Sequence, residues 1–101
     1  MKTELCIGKI ETAEKVENAD KLLKLSVNIG EEQPRTVVAG IATYYKPEEI
    51  VGKQVLMVMN LKPAKIRGIM SHGMLLCAET DDGKLALMTP SIPAKTGIRV
   101  H

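Results

Sequence analysis

The stretch with the clearest chemical character is residues 60–74, NLKPAKIRGIMSHGM, which has three basic side chains, two glycines and no acid. The basic side chains are Lys62, Lys65 and Arg67. They lie in a longer interval, between positions 49 and 79, that contains no Asp or Glu although the chain has twelve. Clustered cations beside glycines, which let backbone N–H groups approach closely, favour binding of an anion such as phosphate. A strand edge that lysines protect from aggregation would look similar, so both interpretations stay open here.

Catalytic and metal-binding chemistry find little support in the sequence. Ser71 and His72 are adjacent, and adjacent side chains of an extended segment point to opposite sides, so they do not form a nucleophile–base pair. Cys6, Cys77 and His101 lack the paired spacing of zinc ligands. Neither a Walker-type phosphate loop nor a dinucleotide fingerprint occurs. We therefore predict a non-catalytic protein without a metal or another cofactor.

Length and composition describe a small globular protein. The chain has 101 residues, 45% of them apolar, which predicts one domain over residues 1–101. The net charge is only +2, whereas a domain that coats nucleic acid non-specifically is strongly basic. Charges interrupt the amino-terminal segment where a signal peptide would need an apolar run, and no window of 18 apolar residues follows. The two cysteines do not form a disulfide framework, so we expect reduced thiols and a cytoplasmic protein off the membrane.

The first half of the chain predicts three strands. In LLKLSVNIG, apolar residues alternate with polar ones from Leu23 to Ile29, which is typical of a strand with one solvent-facing side. GEEQP supplies turn residues before a second strand, RTVVAGI, and the pair predicts a hairpin. LCIGKIETAE is expected to be the first strand, with Gly8 at a bend. A helix over residues 12–23 is the alternative, although Asn18 and Asp20 favour a turn.

The second half predicts further strands around one helical turn. In YYKPEEIVGK, Pro47 suits a first helical position and Gly52 a left-handed end. QVLMVMNL is apolar on both faces, as a central strand is, and GMLLCAE with KLALMTP flank a turn at positions 82–83. TPSIPAKTGIRV is expected to wrap the outside as an extended tail. This order predicts an all-β fold: a five-stranded OB-fold barrel with a short helical turn between strands and an extended carboxy-terminal tail.

A basic segment on such a barrel suggests nucleic acid, but aromatic residues are scarce. The chain has no Phe and no Trp, and its two tyrosines are Tyr44 and Tyr45, whereas barrels that hold single strands stack bases on aromatic rings. Phosphate and ribose contacts on a folded RNA fit the residues better than base stacking.

Four separated motifs resemble the tRNA-binding domain family: ENADKLLKLSVNIG, RTVVAGI, YYKPEEIVGK and NLKPAKIRGIMSHGM, in this order. That family includes free-standing tRNA-binding proteins, the carboxy-terminal domain of many methionyl-tRNA synthetases, CsaA-like proteins and endothelial-monocyte-activating-polypeptide-like domains. The resemblance covers roughly residues 4–100. It implies an OB-fold barrel that dimerises and binds the outer corner of L-shaped tRNA by structure rather than by sequence.

The resemblance also implies roles for individual positions. The family's Asn-Leu-x-Pro-x-Lys-hydrophobic-Arg-Gly is matched over positions 60–68, its Ser-x-Gly-Met over positions 71–74, and its Asn-Ala-Asp-Lys-Leu over positions 18–22. With the cations of the acid-free interval, the predicted RNA-binding residues are Asn18, Lys21, Asn60, Lys62, Lys65, Arg67, Ser71 and Met74. The domain would act alone or as the carboxy-terminal domain of methionyl-tRNA synthetase.

Two other functions remain open from the sequence. A CsaA-like chaperone would bind extended polypeptide through Met70, Met74 and other apolar groups. A structural appendage that only dimerises a larger protein would leave the basic segment without a role.

Overall fold

The computed structural model describes residues 3–101, and nearly all of their regular structure is β. The strands are β1 (Leu5–Val16), β2 (Ala19–Asn28), β3 (Arg35–Ala39), β4 (Gln54–Val58), β5 (Ala64–Ile66), β6 (Ile69–Ser71), β7 (Met74–Leu75), β8 (Cys77–Glu79), β9 (Leu85–Leu87) and β10 (Arg99–Val100), and the helix is α1 (Pro47–Ile50). The predicted all-β fold is confirmed. The count of five strands is not, because turns and single irregular residues divide the later strands into short segments.

The main sheet is antiparallel, with the order β3-β2-β1-β4-β7, and β10 pairs with the first residues of β1. The long strand β1 also pairs with β4 and with β2. Its first part pairs with β4 from Leu5 to Lys9, and the part from Lys9 to Val16 pairs with β2. The middle of β1 therefore turns from one side of the barrel to the other.

Gly8 lies one residue before Lys9, at which β1 pairs with both β4 and β2. It pairs in regular register with β4, and the register with β2 shifts further on, between Ile10 and Thr12. The bend expected at Gly8 stays a prediction. A Cβ at Gly8 would lie 2.5 Å from Cγ1 of Val27, so glycine is needed here for close packing against β2.

Strand structure replaces the alternative helix at residues 12–23. β1 and β2 form a hairpin whose turn contains Asn18, with a φ of 61°. Asn tolerates this left-handed conformation better than most residues, which is why the turn prediction is confirmed and the helix is wrong.

The strand pattern of β2 is confirmed by burial. Leu23, Leu25 and Val27 have almost no exposed surface, and they pack with Val37 of β3 and Met57 of β4 in one core. α1 closes one side of this core with Ile50, which is fully buried. The expected single helical turn is confirmed, with Pro47 at its start and Gly52, at a φ of 89°, just after its end.

Side chains and backbone together close the sheet between β3 and residues 71–72. The His72 amide donates to the Thr36 carbonyl at 2.8 Å, and the Val38 amide donates to the Ser71 hydroxyl oxygen at 3.0 Å. Because β7, which follows this segment, pairs with β4, these bonds join the two ends of the main sheet into a barrel.

The carboxy-terminal segment is extended and lies against β1, as predicted. The Gly97 amide donates to the Ile7 carbonyl at 2.7 Å, and the Ile7 amide donates to the Ile98 carbonyl at 3.0 Å. Further back, the Gln54 side chain accepts a hydrogen bond from the Ala94 amide at 2.9 Å. The predicted hairpin around positions 82–83 is also confirmed as β8–β9, with Gly83 at a φ of 80°.

Candidate nucleic-acid interface

The basic segment is a hairpin rather than an irregular loop. β5 and β6 pair at Ala64–Ser71, Lys65–Met70 and Ile66–Ile69. At its tip, Arg67 and Gly68 both have positive φ, 50° and 81°, as the two central residues of a type I′ turn do. A residue with a Cβ costs roughly 1–2 kcal/mol in this conformation, so Arg67 is held in a strained turn. The tight turn presents its side chain at the end of a two-stranded arm.

One groove lies between this hairpin and the start of β2. It is lined by residues 18–22 and 65–67 and has a volume of about 780 Å³. We call it the basic groove, because three cations line it: Lys21, Lys65 and Arg67. All three are exposed, and the ion pairs of residues 3–101 involve other side chains. Three cations without an ion-pair partner therefore face this groove from two segments that are distant in sequence, and one acid, Asp20, lies among them.

The structure brings four of the eight predicted RNA-binding residues into this groove: Asn18, Lys21, Lys65 and Arg67. Their common position depends on the Asn18 turn, which starts β2 beside the tip of the β5–β6 hairpin.

Asn60 and Ser71 have other partners. The Asn60 side-chain oxygen accepts a hydrogen bond from the Glu4 amide at 2.9 Å, which fixes the chain just before β1. Ser71 is buried, and its hydroxyl accepts from Val38 and donates to the Gly73 carbonyl at 3.1 Å. In this structure both side chains hold parts of the fold together, and neither lines the basic groove.

Lys62 and Met74 also lie outside the basic groove. Lys62 is exposed in the segment that connects β4 to β5. Met74, half exposed, lines a separate groove of about 400 Å³ together with residues 38–41 and 75–77. Their roles as RNA contacts stay predictions.

Sequence reasoning missed Arg35. Its guanidinium donates to both carboxylate oxygens of Glu31, at 2.8 and 2.9 Å, and to the carbonyls of Met59 and His72, at 2.6 and 3.2 Å. The hydrogen bond to Glu31 raises the pKa of Arg35 and lowers the pKa of Glu31. Arg35 thus ties β3 to both ends of the segment that carries the basic hairpin. No local pattern could have shown this, since the two carbonyls are 24 and 37 residues away.

Other reactive groups give no sign of a catalytic or metal centre in the part of the chain that the structure describes. Within residues 3–101, no three His, Cys, Asp or Glu side chains come close enough together to hold a metal ion. Cys6 is buried and Cys77 partly buried, and burial raises the pKa of both thiols. Both cysteines pack as small apolar residues of the core. The same residues include no helix that is long and apolar enough to cross a bilayer.

Comparison with known proteins identifies the family. Residues 5–99 match the model of the family described as "Putative tRNA binding domain". The chain belongs to this tRNA-binding domain family. It corresponds to the non-catalytic, carboxy-terminal tRNA-binding domain of the methionine–tRNA ligases that it resembles.

Among these relatives, the methionine–tRNA ligase of Clostridium tetani is 54% identical over 102 residues, which include 99% of the present chain. The chain spans only 16% of that ligase, and 15% of the related enzyme from Methanocaldococcus jannaschii.

Solved structures of tRNA-binding domains and their relatives have the same fold. A methionyl-tRNA synthetase-related protein from Pyrococcus horikoshii superimposes with a TM-score of 0.90 at 42% identity, covering 98% of this chain and 90% of that one. The chaperone CsaA from Bacillus anthracis gives a TM-score of 0.88 at 25% identity, with the same coverage of each chain. The predicted resemblance is confirmed, and it includes both a synthetase-related structure and a CsaA structure.

Proposed function

We propose that the basic groove binds the sugar–phosphate backbone of folded tRNA. The observation that carries this proposal is the convergence of Lys21, Lys65 and Arg67 on one groove, with none of them in an ion pair with another described residue. Each cation that meets a phosphate releases condensed counterions, so a groove of this kind binds polyanions with a strong dependence on salt. Asn18 adds an amide that can donate to phosphate or ribose oxygens.

Recognition would depend on the shape of the RNA rather than on its bases. Single-stranded nucleic acid is bound by stacking on aromatic rings. Here the two tyrosines are engaged elsewhere: the Tyr45 hydroxyl accepts from the Leu87 amide at 3.1 Å, and the Tyr44 hydroxyl donates to the Gly83 carbonyl at 3.4 Å. A groove that is lined by three cations and the Asn18 amide, and that contains no aromatic ring, fits the outer corner of L-shaped tRNA, where a folded backbone is presented.

The remaining predicted residues take indirect or peripheral roles in this proposal. Ser71 and Asn60 position the segment that carries the hairpin, through their bonds to Val38 and Glu4. Lys62, exposed at the base of the hairpin, would bind a phosphate beyond the groove. Met74 would contact the RNA only where the sugar–phosphate backbone of the tRNA extends past β7.

We further propose that residues 1–101 act as one domain in the cytoplasm, either alone or as the carboxy-terminal domain of a methionyl-tRNA synthetase. A homodimer would present two basic grooves and raise the effective affinity. Analytical ultracentrifugation at tens of micromolar tests the dimer, and a monomer at that concentration would count against it.

A second candidate function, peptide binding, has its own support in the likeness to CsaA and in two exposed methionines. Met70 is 44% and Met74 50% exposed, and flexible methionines suit apolar peptides. Suppression of the aggregation of an unfolded client, unchanged by added tRNA, would favour this function over RNA binding.

A direct titration tests the proposed function. Fluorescence anisotropy would compare intact folded tRNA, heat-unfolded tRNA fragments and a single-stranded oligonucleotide at two salt concentrations. Preference for folded tRNA, with a logarithmic salt slope of a few units, is the expected result. Equal binding to all three ligands would contradict recognition by shape, and absent binding would contradict the function itself.

A further inference from the structure

One acid lies inside the basic groove. Asp20, the second residue of β2, lines it together with the cations Lys21, Lys65 and Arg67. It is exposed. Four ion pairs link described residues, and their acids are Glu4, Glu14, Glu31 and Asp82. Asp20 is therefore not neutralised within 4.0 Å by any cation of residues 3–101, although three cations share its groove.

A structural role for this carboxylate is not supported by its contacts. None of the hydrogen bonds made by side chains of the described residues involves Asp20, whereas the acids Glu11 and Glu49 bind Asn28 and the Lys46 amide. The turn before β2 depends on the left-handed conformation of Asn18 and not on a hydrogen bond to the Asp20 carboxylate. The carboxylate is free to bind a ligand.

A carboxylate is an unfavourable group for a surface that only has to hold phosphates, because it repels them and offsets one of the neighbouring cations. An ionised carboxylate only accepts hydrogen bonds. Along the backbone of a nucleic acid, the phosphate oxygens and the ring oxygen are also acceptors, and the one donor is the ribose 2′-hydroxyl, which DNA lacks.

We propose that the Asp20 carboxylate accepts a hydrogen bond from a ribose 2′-hydroxyl and makes the basic groove selective for RNA. The cations attract any polyanion. The Asp20 carboxylate repels the phosphates, and this repulsion is offset only when a 2′-hydroxyl donates a hydrogen bond to the carboxylate. This inference rests on the proposed function of the groove, since it assigns the sugar specificity of the same site.

The test uses one methionine tRNA sequence transcribed in two forms, with 2′-hydroxyl and with 2′-fluoro nucleotides. Fluorine cannot donate a hydrogen bond, whereas the phosphates and the amino groups of the bases are the same in both forms. For the unmodified protein we expect about three- to tenfold tighter binding of the 2′-hydroxyl form, as for one hydrogen bond to a charged acceptor in a wet groove. In Asp20→Ala this ratio should fall to about one, with tighter binding of the 2′-fluoro form because the repulsion is removed.

Two control variants separate the hydrogen bond from the charge. Asp20→Asn keeps an acceptor oxygen without the charge, so it should bind both forms more tightly and retain a smaller ratio that is still above one, because a neutral acceptor makes a weaker hydrogen bond. Glu17→Ala removes a nearby exposed acid that does not line the groove, and should leave the ratio unchanged.

An unchanged ratio in Asp20→Ala would overturn the proposal. So would equal loss of affinity for both forms, which would indicate a bond from an amino group of a base. If the unmodified protein binds both forms equally and with a normal salt slope, the proposed function stands and only the role of Asp20 falls. If it binds neither form, both fall together.

Discussion

The Val38 amide donates a hydrogen bond to the hydroxyl oxygen of Ser71 at 3.0 Å, across 33 residues of sequence. Ser71 also donates to the Gly73 carbonyl, so one small side chain joins β3 to the segment between β6 and β7. Ser71 is the last residue of β6, and β6 is one arm of the basic hairpin. The bond that closes the barrel therefore also fixes the base of the hairpin beside the groove.

Removing this hydroxyl should destabilise the fold more than it affects binding. In Ser71→Ala the buried Val38 amide loses its acceptor, which costs about 1–3 kcal/mol in the free energy of unfolding. Chemical denaturation measures this change, with Ser91→Ala, an exposed serine of the tail, as the matched control. At a temperature where the variant is fully folded, we expect tRNA affinity within about twofold of the original, because Ser71 stabilises the fold and does not line the groove. Stability equal to that of the control would contradict the role of Ser71 in closure.

The tip of the hairpin should act through its charge. Arg67→Ala should weaken tRNA binding several-fold and reduce the logarithmic salt slope by about one unit, as expected for the loss of one phosphate contact. Stability should change little, since Ala and Arg both carry a Cβ and are equally strained at a φ of 50°. Lys95→Ala, which removes an exposed cation of the tail, is the matched control for net charge. A folded Arg67→Ala protein with unchanged affinity would count directly against the proposed groove.

The Arg35–Glu31 pair should make stability depend on acid pH. Because the hydrogen bond from Arg35 lowers the pKa of Glu31 in the folded state, the pair stabilises the protein at any pH above the ordinary pKa of glutamate. That contribution is lost as the pH falls through the lowered pKa. Free energies of unfolding measured from neutral to acid pH should therefore show Glu31→Gln less stable at neutral pH and converging with the original protein in acid. Glu32→Gln, at the exposed neighbouring position, should show no such convergence. A stability difference between Glu31→Gln and the original protein that widens toward acid pH would contradict the prediction.

The tail should depend on a glycine at position 97. A Cβ there would lie 2.3 Å from the Ile29 carbonyl oxygen, and the φ of 88° already disfavours other residues. Gly83 has a similar φ of 80° but open space around it. Gly83→Ala thus isolates the conformational cost, about 1 kcal/mol, and Gly97→Ala should be more destabilising because the tail must move away from Ile29. Hydrogen exchange at the amides of residue 97 and of Ile7, which form the two hydrogen bonds between the tail and β1, measures the loss of docking. Equal effects of the two substitutions would contradict this prediction.

Local patterns were sufficient for the strands and turns. The alternation from Leu23 to Ile29 predicted β2, because one face of that strand packs in the core. Pro47 and Gly52 marked the ends of the helical turn, since each has a conformation that few other residues adopt as easily. The sequence suggested a bend at Gly8, but not the close packing against Val27 that requires a glycine there, because such packing depends on a partner distant in sequence.

Long-range partners explain what the sequence could not predict at the site. Ser71 and Asn60 match the family pattern as well as Lys65 does, yet they bond to backbone amides 33 and 56 residues away. Only the folded chain shows that these two positions hold the barrel together. The position of Lys21 beside Lys65 was implied by the family resemblance and agrees with the lining of the groove. Lys65 and Arg67 were predictable from composition, because they lie in an interval without acids, whereas Lys21 directly follows Asp20 and was predicted from the family resemblance.

The most direct test of this account is to map, by amide chemical shifts in NMR, where folded tRNA contacts the protein. We expect the perturbations on addition of tRNA to centre on residues 18–22 and 64–68, which form the basic groove and the hairpin tip. The tail, residues 89–95, should be unaffected at equimolar tRNA. Perturbations confined to the tail, or to the groove that contains Met74, with a silent basic hairpin, would contradict the proposal that this groove binds tRNA.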